Sequence, residues 1–218
     1  MFYDPNDYPF TKKFSENFEK IKEEMIRTLA LPLGGLNENT WAGERPNYLT
    51  SSHDPNLAWK TYVFRYFGIN HLPNQKACPT ITAILNEFPF IMTAEFSMLE
   101  PDTHILPHTG FTGKVHRAHL GMIIPEGDIG IKVGDDTKRW KEGEWLIFDD
   151  SVTHEAWNKT NERRIVLMID FDPDLSEENG LEVSKEILSR TNDKHMMDIA
   201  PREMWLDWFE KRQFPVEI

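Results

Sequence analysis

The part of the chain that decides the fold is residues 91–172, which read IMTAEFSMLEPDTHILPHTGFTGKVHRAHLGMIIPEGDIGIKVGDDTKRWKEGEWLIFDDSVTHEAWNKTNERRIVLMIDFD. Short runs with strand character alternate here with turn signals that begin every seven to nine residues, at Pro125, Gly134, Glu142, Asp149 and Asn158. This spacing is typical of an antiparallel β-sandwich or barrel and differs from alternating strands and helices. We therefore predict a mainly β fold with flanking helices.

Helical patterns precede this β region. Apolar residues recur at steps of three and four along one N-terminal segment, which predicts an amphipathic helix packed against the domain: Phe14, Phe18, Ile21, Met25 and Leu29. Leu31–Leu57 is rich in Gly, Asn and Pro and predicts a loop. Trp59–Phe67 then predicts a strand, and a short helix is expected from Pro79 to Asn86.

Two further helical segments are expected beyond Asp174. The second contains a stripe of large side chains that we expect to dock onto the domain or onto a second subunit: Met204, Trp205, Trp208 and Phe209. A substrate lid is the alternative for this stripe. The oligomeric state stays open.

Length and charge exclude several classes of protein. The 218 residues fit one domain with a helical extension. A net charge of -12 argues against general binding to nucleic acids or anionic membranes. Cys78 is the only cysteine, and Met1–Phe10 lacks the features of a secretion signal, so a cytoplasmic protein is expected. No run approaches the roughly 18 apolar residues of a membrane helix.

Two histidines at predicted strand ends could share a metal. His108 and His154 lie 46 residues apart, each beside a turn. Iron oxygenases commonly use two histidines and a carboxylate in an H-x-D/E pattern, but Gly110 stands at the carboxylate position. On the residues alone, a pair of buried, hydrogen-bonded histidines is an equally good interpretation. Glu155 should alternate away from the metal.

The other histidines receive different expectations. His53, His71 and His195 lie far from these motifs in sequence and are predicted to be at the surface. His119 instead shares one face of a predicted strand with Arg117, and apolar side chains occupy the other face. This polar face is expected to be functional.

Arg164 opens an apolar strand and shares a face with Val166 and Met168. A cation inside an apolar barrel needs an anion. Arginine binds a carboxylate through two parallel hydrogen bonds, which suggests a small dicarboxylate anchored at one end and chelated to a metal at the other. An ion pair with Asp170 or Asp150 is the alternative.

Several motifs in order resemble one known family. They are Pro107-His108-Thr109-Gly110, Arg117-Ala118-His119-Leu120-Gly121, Leu146-Ile147-Phe148-Asp149-Asp150-Ser151 leading to His154-Glu155, and Arg164. In these residues the chain resembles the aspartyl/asparaginyl β-hydroxylase family of iron(II)- and 2-oxoglutarate-dependent dioxygenases, over about residues 96–172. The resemblance implies a double-stranded β-helix, that is, a jelly-roll or cupin-like core. It implies one dioxygenase domain over 1–218, with a helical N-terminal region to about 90, the β-helix over about 91–172 and a helical extension over about 173–218.

The resemblance also implies the roles of site residues. His108 and His154 would hold iron(II), with glycine expected where Gly110 stands. Arg164, assisted by Ser97, would bind the distal carboxylate of 2-oxoglutarate. Arg117 and His119 would line the pocket near its metal-binding end, and Asp150 would support the iron site.

The implied reaction uses O2 and 2-oxoglutarate to hydroxylate an unactivated carbon, releasing succinate and CO2. The vertebrate peptide hydroxylase of the family has a helical-repeat domain, for which this chain has no room, and an additional arginine where Val115 stands. We therefore expect a small amino-acid-like, carrier-bound or peptidyl substrate rather than a folded domain or a lipid. Two alternatives are an iron halogenase, in which glycine leaves room for chloride, and a non-catalytic module that binds an acidic ligand.

Overall fold

Two sheets packed face to face form the centre of the molecule in a computed structural model, which describes residues 2–36, 38–52 and 54–216. The strands described are β1 (Leu33–Gly34), β2 (Trp41–Gly43), β3 (Leu49–Ser51), β4 (Trp59–Tyr66), β5 (Ile69–Asn70), β6 (Ile91–Leu99), β7 (Thr103–His108), β8 (His116–Ile123), β9 (Ile129–Val133), β10 (Asp136–Lys138), β11 (Trp145–Asp149), β12 (His154–Asn158) and β13 (Arg164–Phe171). The α-helices are α1 (Pro9–Glu16), α2 (Phe18–Thr28), α3 (Pro55–Ala58), α4 (Leu72–Ala77), α5 (Pro79–Glu87), α6 (Glu177–Arg190), α7 (Lys194–Ile199) and α8 (Arg202–Lys211), and a 3-10 turn spans Pro5–Asp7.

The strand order is that of a double-stranded β-helix. The larger sheet runs β1-β2-β4-β6-β13-β8-β11, with β5 paired to β4, and the smaller sheet runs β10-β9-β12-β7-β3. All of these pairs except β1 with β2 are antiparallel. The predicted jelly-roll core with flanking helices is therefore confirmed.

The two faces of the larger sheet bury different kinds of side chain. Because side chains alternate along a strand, Ala94, Phe96 and Met98 of β6 pack outward into a core that includes residues of α1, α2 and α5. The intervening Glu95 and Ser97 point between the sheets. The same alternation holds in β13 and β8, which confirms the predicted inward faces of Arg164 and Arg117.

The N-terminal helix is interrupted, contrary to the prediction of one continuous helix. Asn17 leaves the helical conformation, with φ of -110° and ψ of 15°, and separates α1 from α2. Phe14, Ile21 and Met25 are nevertheless fully buried on one stripe. The spacing of apolar residues identified the buried face but carried no signal for the break.

The segment Leu31–Leu57 is not entirely loop. It contains β1, β2, β3 and the beginning of α3, so the N-terminal region that was expected to be helical also supplies strands to both sheets. These strands are only two or three residues long, and a period of two cannot be detected over that length. The predicted strand from Trp59, the helix from Pro79 and the C-terminal helices are confirmed.

The C-terminal aromatic stripe docks onto the protein itself. Trp205, Trp208 and Phe209 are buried, whereas Met204 is exposed. The predicted surface position of His71 is wrong, since this side chain is 1% exposed and caps α4. His195 is half-buried in a cavity wall, and His53 lies outside the described residues. Within the ranges described, every helix is too short or too polar to cross a lipid bilayer.

Candidate active site

The two histidines predicted to share a metal meet at adjacent strand ends. β7 ends at His108 and β12 begins at His154, and the antiparallel register sets these residues opposite each other. Their ring centroids are 4.2 Å apart. Each Nδ1 lies 2.8 Å from a backbone carbonyl oxygen, of Leu106 and Val152 respectively, and donates to it. This tautomer leaves both Nε2 lone pairs free, as in metal-binding histidines.

Both imidazoles are neutral at physiological pH. Burial and the charge of Arg117 lower the pKa of His108. Burial, Arg117 and the neighbouring His108 lower the pKa of His154 to about 3. Nε2 of His154 is buried and has no hydrogen-bond partner among the described residues. Neutral imidazole is the form that binds a metal, so the pair is chemically ready to act as ligands.

A carboxylate stands beside this pair, but it belongs to Asp150. Oδ1 of Asp150 lies 3.6 Å from Nε2 of His154. A Cβ atom added at Gly110 would lie 1.7 Å from Oδ2 of Asp150, and the Gly110 amide donates to the Asp150 carbonyl at 2.8 Å. The space of a side chain at position 110 is therefore filled by the carboxylate of Asp150, which explains the glycine physically.

Arg117 holds that carboxylate in place. Its Nη1 lies 2.9 Å from Oδ1 of Asp150, and its Nε and Nη2 donate to the two oxygens of Asp170 at 2.7 and 2.8 Å. Burial opposes the charged form, but the two carboxylates outweigh it and raise the pKa of Arg117 above its usual range. Burial raises the pKa of Asp150 to about 6, although Arg117 opposes that shift. The two carboxylates thus hold the guanidinium of Arg117 in the cavity wall.

Among the described residues, no carboxylate pairs with the buried cation Arg164. It is 1% exposed, its Nη1 donates to the carbonyl of Ser97 at 3.1 Å, and its guanidinium lies 4.6 Å from the ring centroid of Trp140. Asp170 and Asp150, the alternative partners, are bound to Arg117 instead. Burial lowers the pKa of Arg164 to about 9, so the charge is costly without an anion.

Ser97 and His119 lie on the same inner face. Oγ of Ser97 accepts a hydrogen bond from Nε1 of Trp59 at 3.0 Å. Nδ1 of His119 accepts from Nε1 of Trp140 at 3.2 Å, and its Nε2 is buried without a partner. Burial, followed by the charges of Arg164 and Arg117, lowers the pKa of His119 well below its ordinary value.

Unsatisfied polar atoms concentrate between the sheets. Among the described residues, four buried side-chain atoms on this inner face have no hydrogen-bond partner: Glu95 Oε2, His119 Nε2, His154 Nε2 and Arg164 Nε. Oδ1 of Asp150 is also buried here, but it is paired with Arg117. Buried polar groups are normally satisfied, so such a concentration indicates a site that receives a ligand. No three His, Cys, Asp or Glu side chains in the described ranges converge as metal ligands, which leaves His108 and His154 as the candidate pair.

A cavity of about 150 Å3 opens beside His108. Its wall includes Tyr48, whose ring stacks on His108 with centroids 4.2 Å apart, as well as Trp59 and Glu95. No sequence pattern singles out Tyr48, which lies in the segment predicted as loop. Glu95 could have been found, because alternation along β6 assigns it to the face of Ser97. Glu155 points away from the cavity and pairs with His104 at 2.8 Å, as predicted.

Known proteins resemble between about half and three quarters of the chain. The chain is 36% identical over 171 residues to the ornithine lipid ester-linked acyl 2-hydroxylase of Rhizobium tropici, an alignment that covers 78% of this chain and 59% of that protein. It is 37% identical over 112 residues to the human aspartyl/asparaginyl beta-hydroxylase, covering 47% of this chain and 15% of that protein. The chain thus spans less than two thirds of the length of either relative.

The similarity to solved structures is more limited. A Cupin 2 conserved barrel domain protein from Salinispora arenicola is 11% identical, covers 41% of this chain and 71% of that chain, and has a TM-score of 0.32. The family described as aspartyl/asparaginyl beta-hydroxylase matches residues 15–173, a range that contains all the strands from β1 to β13 and every site residue predicted from the sequence. By this match the chain belongs to the aspartyl/asparaginyl beta-hydroxylase family.

Proposed function

We propose that the chain is an iron(II)- and 2-oxoglutarate-dependent dioxygenase that hydroxylates an unactivated carbon. In the balanced reaction, substrate, O2 and 2-oxoglutarate give hydroxylated substrate, succinate and CO2. Membership in a family of hydroxylases supports an enzyme of this kind. The observation that carries the proposal is the pair of neutral imidazoles, His108 and His154, with their Nε2 atoms free.

The donor set fits iron(II). Two imidazole nitrogens on one side leave open coordination positions, as in non-haem iron oxygenases. Iron(II) with bound 2-oxoglutarate would activate O2, a step that amino-acid side chains cannot perform. The backbone carbonyls of Leu106 and Val152 fix the orientation of both rings, so the chain presents them without reorganisation.

Arg164 fits the distal carboxylate of the cosubstrate. Its Nε is unpaired, its charge is buried, and Trp140 fixes the plane of the guanidinium. A carboxylate arriving there would restore the missing anion and gain charge-assisted hydrogen bonds. Because Nδ1 of His119 accepts from Trp140, its Nε2 carries the proton and would donate to the cosubstrate nearby. Ser97 would position Arg164 through its carbonyl.

The remaining residues exclude water and hold charge. Phe148 and Trp140 are fully buried in the core between the sheets, which lowers the local dielectric. Asp150, held by Arg117, would orient water or substrate beside His154. The chain thus supplies geometry, desolvation and hydrogen bonds around the reacting centre.

The position of Asp150 favours hydroxylation over halogenation. A halide would need the room that glycine leaves at position 110, and Oδ2 of Asp150 occupies that room. A carboxylate also repels a halide ion. The non-catalytic alternative is tested by the experiment below, because a pure binding module would not need His154.

The preferred substrate is small and amino-acid-like, carrier-bound or peptidyl. The size of the cavity, about 150 Å3, supports a small group at the reacting carbon. A second candidate is an acyl chain of an amino-acid-containing lipid. It is favoured by the 36% identity over 78% of this chain to a protein named as an ornithine lipid acyl hydroxylase.

The first test needs no substrate. Metal-free protein under nitrogen receives iron(II) and then 2-oxoglutarate, and the visible charge-transfer band of the chelated cosubstrate is recorded. His154→Ala and Arg164→Ala should weaken or abolish the band. His104→Ala is the matched control, because His104 lies on the same strand as His108 but pairs with Glu155 outside the site.

The outcomes separate the candidate functions. A band that requires His154 and Arg164 but not His104 supports the dioxygenase. A folded protein that gives no band contradicts it, and unchanged affinity for acidic ligands in His154→Ala would favour the binding module. Chloride incorporation with an active substrate would indicate the halogenase instead.

A further inference from the structure

A buried carboxyl group that has no ion-pair partner among the described residues lies in the cavity beside His108. Glu95, in the middle of β6, is 2% exposed. Its Oε2 is buried and has no hydrogen-bond partner among the described residues. The side chain belongs to the cavity wall together with His108 and Arg117. Leaving such a group unsatisfied destabilises the empty protein, so a ligand that satisfies it is expected.

The other carboxylates of this wall already have partners. Glu44 pairs with His195 at 2.7 Å, and Asp170 and Asp150 share Arg117. Asp193 caps α7 by accepting from the Met196 amide at 3.0 Å. Five carboxyl groups and two basic partners, Arg117 and His195, thus surround the cavity. The excess is negative, and Glu95 is the member whose carboxylate has neither an ion-pair partner nor, at its Oε2, a hydrogen-bond partner among the described residues.

The shifted pKa of Glu95 also favours a cationic ligand. Burial raises the pKa of Glu95 well above its ordinary value, and the carboxylates of Glu44 and Asp170 raise it further, against the opposing charge of Arg117. A cation placed in the cavity would reverse this shift, because an opposite charge nearby favours the ionised carboxylate. A neutral or anionic group would not reduce the free-energy cost of ionising the buried Glu95 carboxyl.

We propose that the substrate carries a primary ammonium group that binds to Glu95 in this cavity, an inference that rests on the proposed function and specifies its substrate class. An ammonium offers three donors to carboxylate oxygens. The aromatic rings of Trp59 and Tyr66 in the same wall suit a cation as well. Since His108 borders the same cavity, an ammonium held at Glu95 would fix the distance of the substrate from the iron site.

The test compares three ligands of one size. Pentylamine, which is protonated at neutral pH, 1-pentanol and pentanoate are titrated into the full-length protein, both loaded with iron(II) and 2-oxoglutarate under nitrogen and metal-free. Binding is followed by NMR at the indole N–H of Trp59, which donates to Ser97 at the cavity wall. The variants are Glu95→Gln and, as the matched control, Glu126→Gln, a carboxyl that is almost fully exposed and remote from this wall.

The expected result is that the wild-type protein binds pentylamine at least about tenfold more tightly than 1-pentanol, and pentanoate most weakly. Glu95→Gln should reduce the preference for the amine to within about twofold, and Glu126→Gln should retain it. Equal binding of amine and alcohol by the wild type, or an undiminished preference in Glu95→Gln, overturns the inference. The wild-type comparison decides even where Glu95→Gln does not fold. Because the metal-free arm needs no cosubstrate, failure of this inference is distinguishable from absence of the charge-transfer band.

Discussion

Gly110→Ala tests whether Asp150 occupies the space of a side chain at position 110. The new Cβ would lie 1.7 Å from Oδ2 and 2.4 Å from Cγ of Asp150, so the carboxylate must move. It is also 3.0 Å from the carbonyl oxygen of Asp150. Since that residue is 3% exposed and bound to Arg117 at 2.9 Å, its movement disrupts a buried ion pair.

The magnitude follows from two contributions. Forcing extra atoms into a packed interior costs about 1–3 kcal/mol. Breaking a buried ion pair by removing one partner costs about 3–5 kcal/mol, but Arg117 keeps the two hydrogen bonds to Asp170, which reduces this part. We therefore expect Gly110→Ala to lower the free energy of unfolding by about 3 kcal/mol.

Equilibrium urea unfolding of the metal-free protein measures this change. Gly113→Ala is the control, because its Cβ would meet Oγ of Ser151 at 3.4 Å, an ordinary contact. In protein that already carries Asp150→Ala, adding Gly110→Ala should lower the free energy of unfolding much less than it does in the wild type. A cost below about 0.5 kcal/mol for Gly110→Ala, or the same cost with and without the Asp150 side chain, would refute the proposed packing.

Two further predictions concern buried charge. Arg164→Met should leave the metal-free protein as stable as wild type or up to about 1 kcal/mol more stable in urea unfolding, because it removes a buried cation that has no anion among the described residues. 2-Oxoglutarate should stabilise the wild type but not this variant. A loss of several kcal/mol in the variant without ligand would contradict the reasoning. The second prediction uses His154, whose pKa falls from 6.5 to about 3 on folding. As the pH falls, His154 is protonated in the unfolded chain before it is protonated in the folded protein. The free energy of unfolding is therefore unaffected by His154 above pH 6.5 and falls below it, by about 2 kcal/mol at pH 5. His154→Gln should show a shallower loss of stability between pH 7 and pH 5, and equal slopes would contradict the assignment.

The sequence predicted the barrel because its signals were local. Turns at regular intervals and alternating side chains identified the strands from β6 to β13, and alternation correctly oriented Arg117, His119 and Arg164. The short strands β1 to β3 were missed because they owe their conformation to pairing with longer strands rather than to their own residues. Asn17 interrupts the first helix without a proline or glycine to mark the break.

The candidate site was only partly predictable, because pairing partners are a property of the fold. The sequence left Arg164 with two possible acidic partners, and the register of β13 against β8 assigns Asp170 to Arg117 instead. The meeting of Gly110 with Asp150 likewise depends on two turns that are 40 residues apart. Such contacts follow from tertiary geometry, and no spacing rule in the chain contains them.

The inner face of the barrel carries one group of residues that attracts an anion and another that attracts a cation. In the part of the chain that the structure describes, Arg164 and His119 have no carboxylate partner, so their half of the face attracts an anion. Glu95, Glu44 and Asp170 crowd the other half, which attracts a cation. Arg117 is bound to both Asp150 and Asp170, and its charge acts on His119 as well as on Glu95. For the proposed dioxygenase and its proposed ammonium-bearing substrate, a dianionic cosubstrate and a cationic substrate would therefore bind without competing, because repulsion excludes each from the other's region. Both would be directed toward the free nitrogens of His108 and His154.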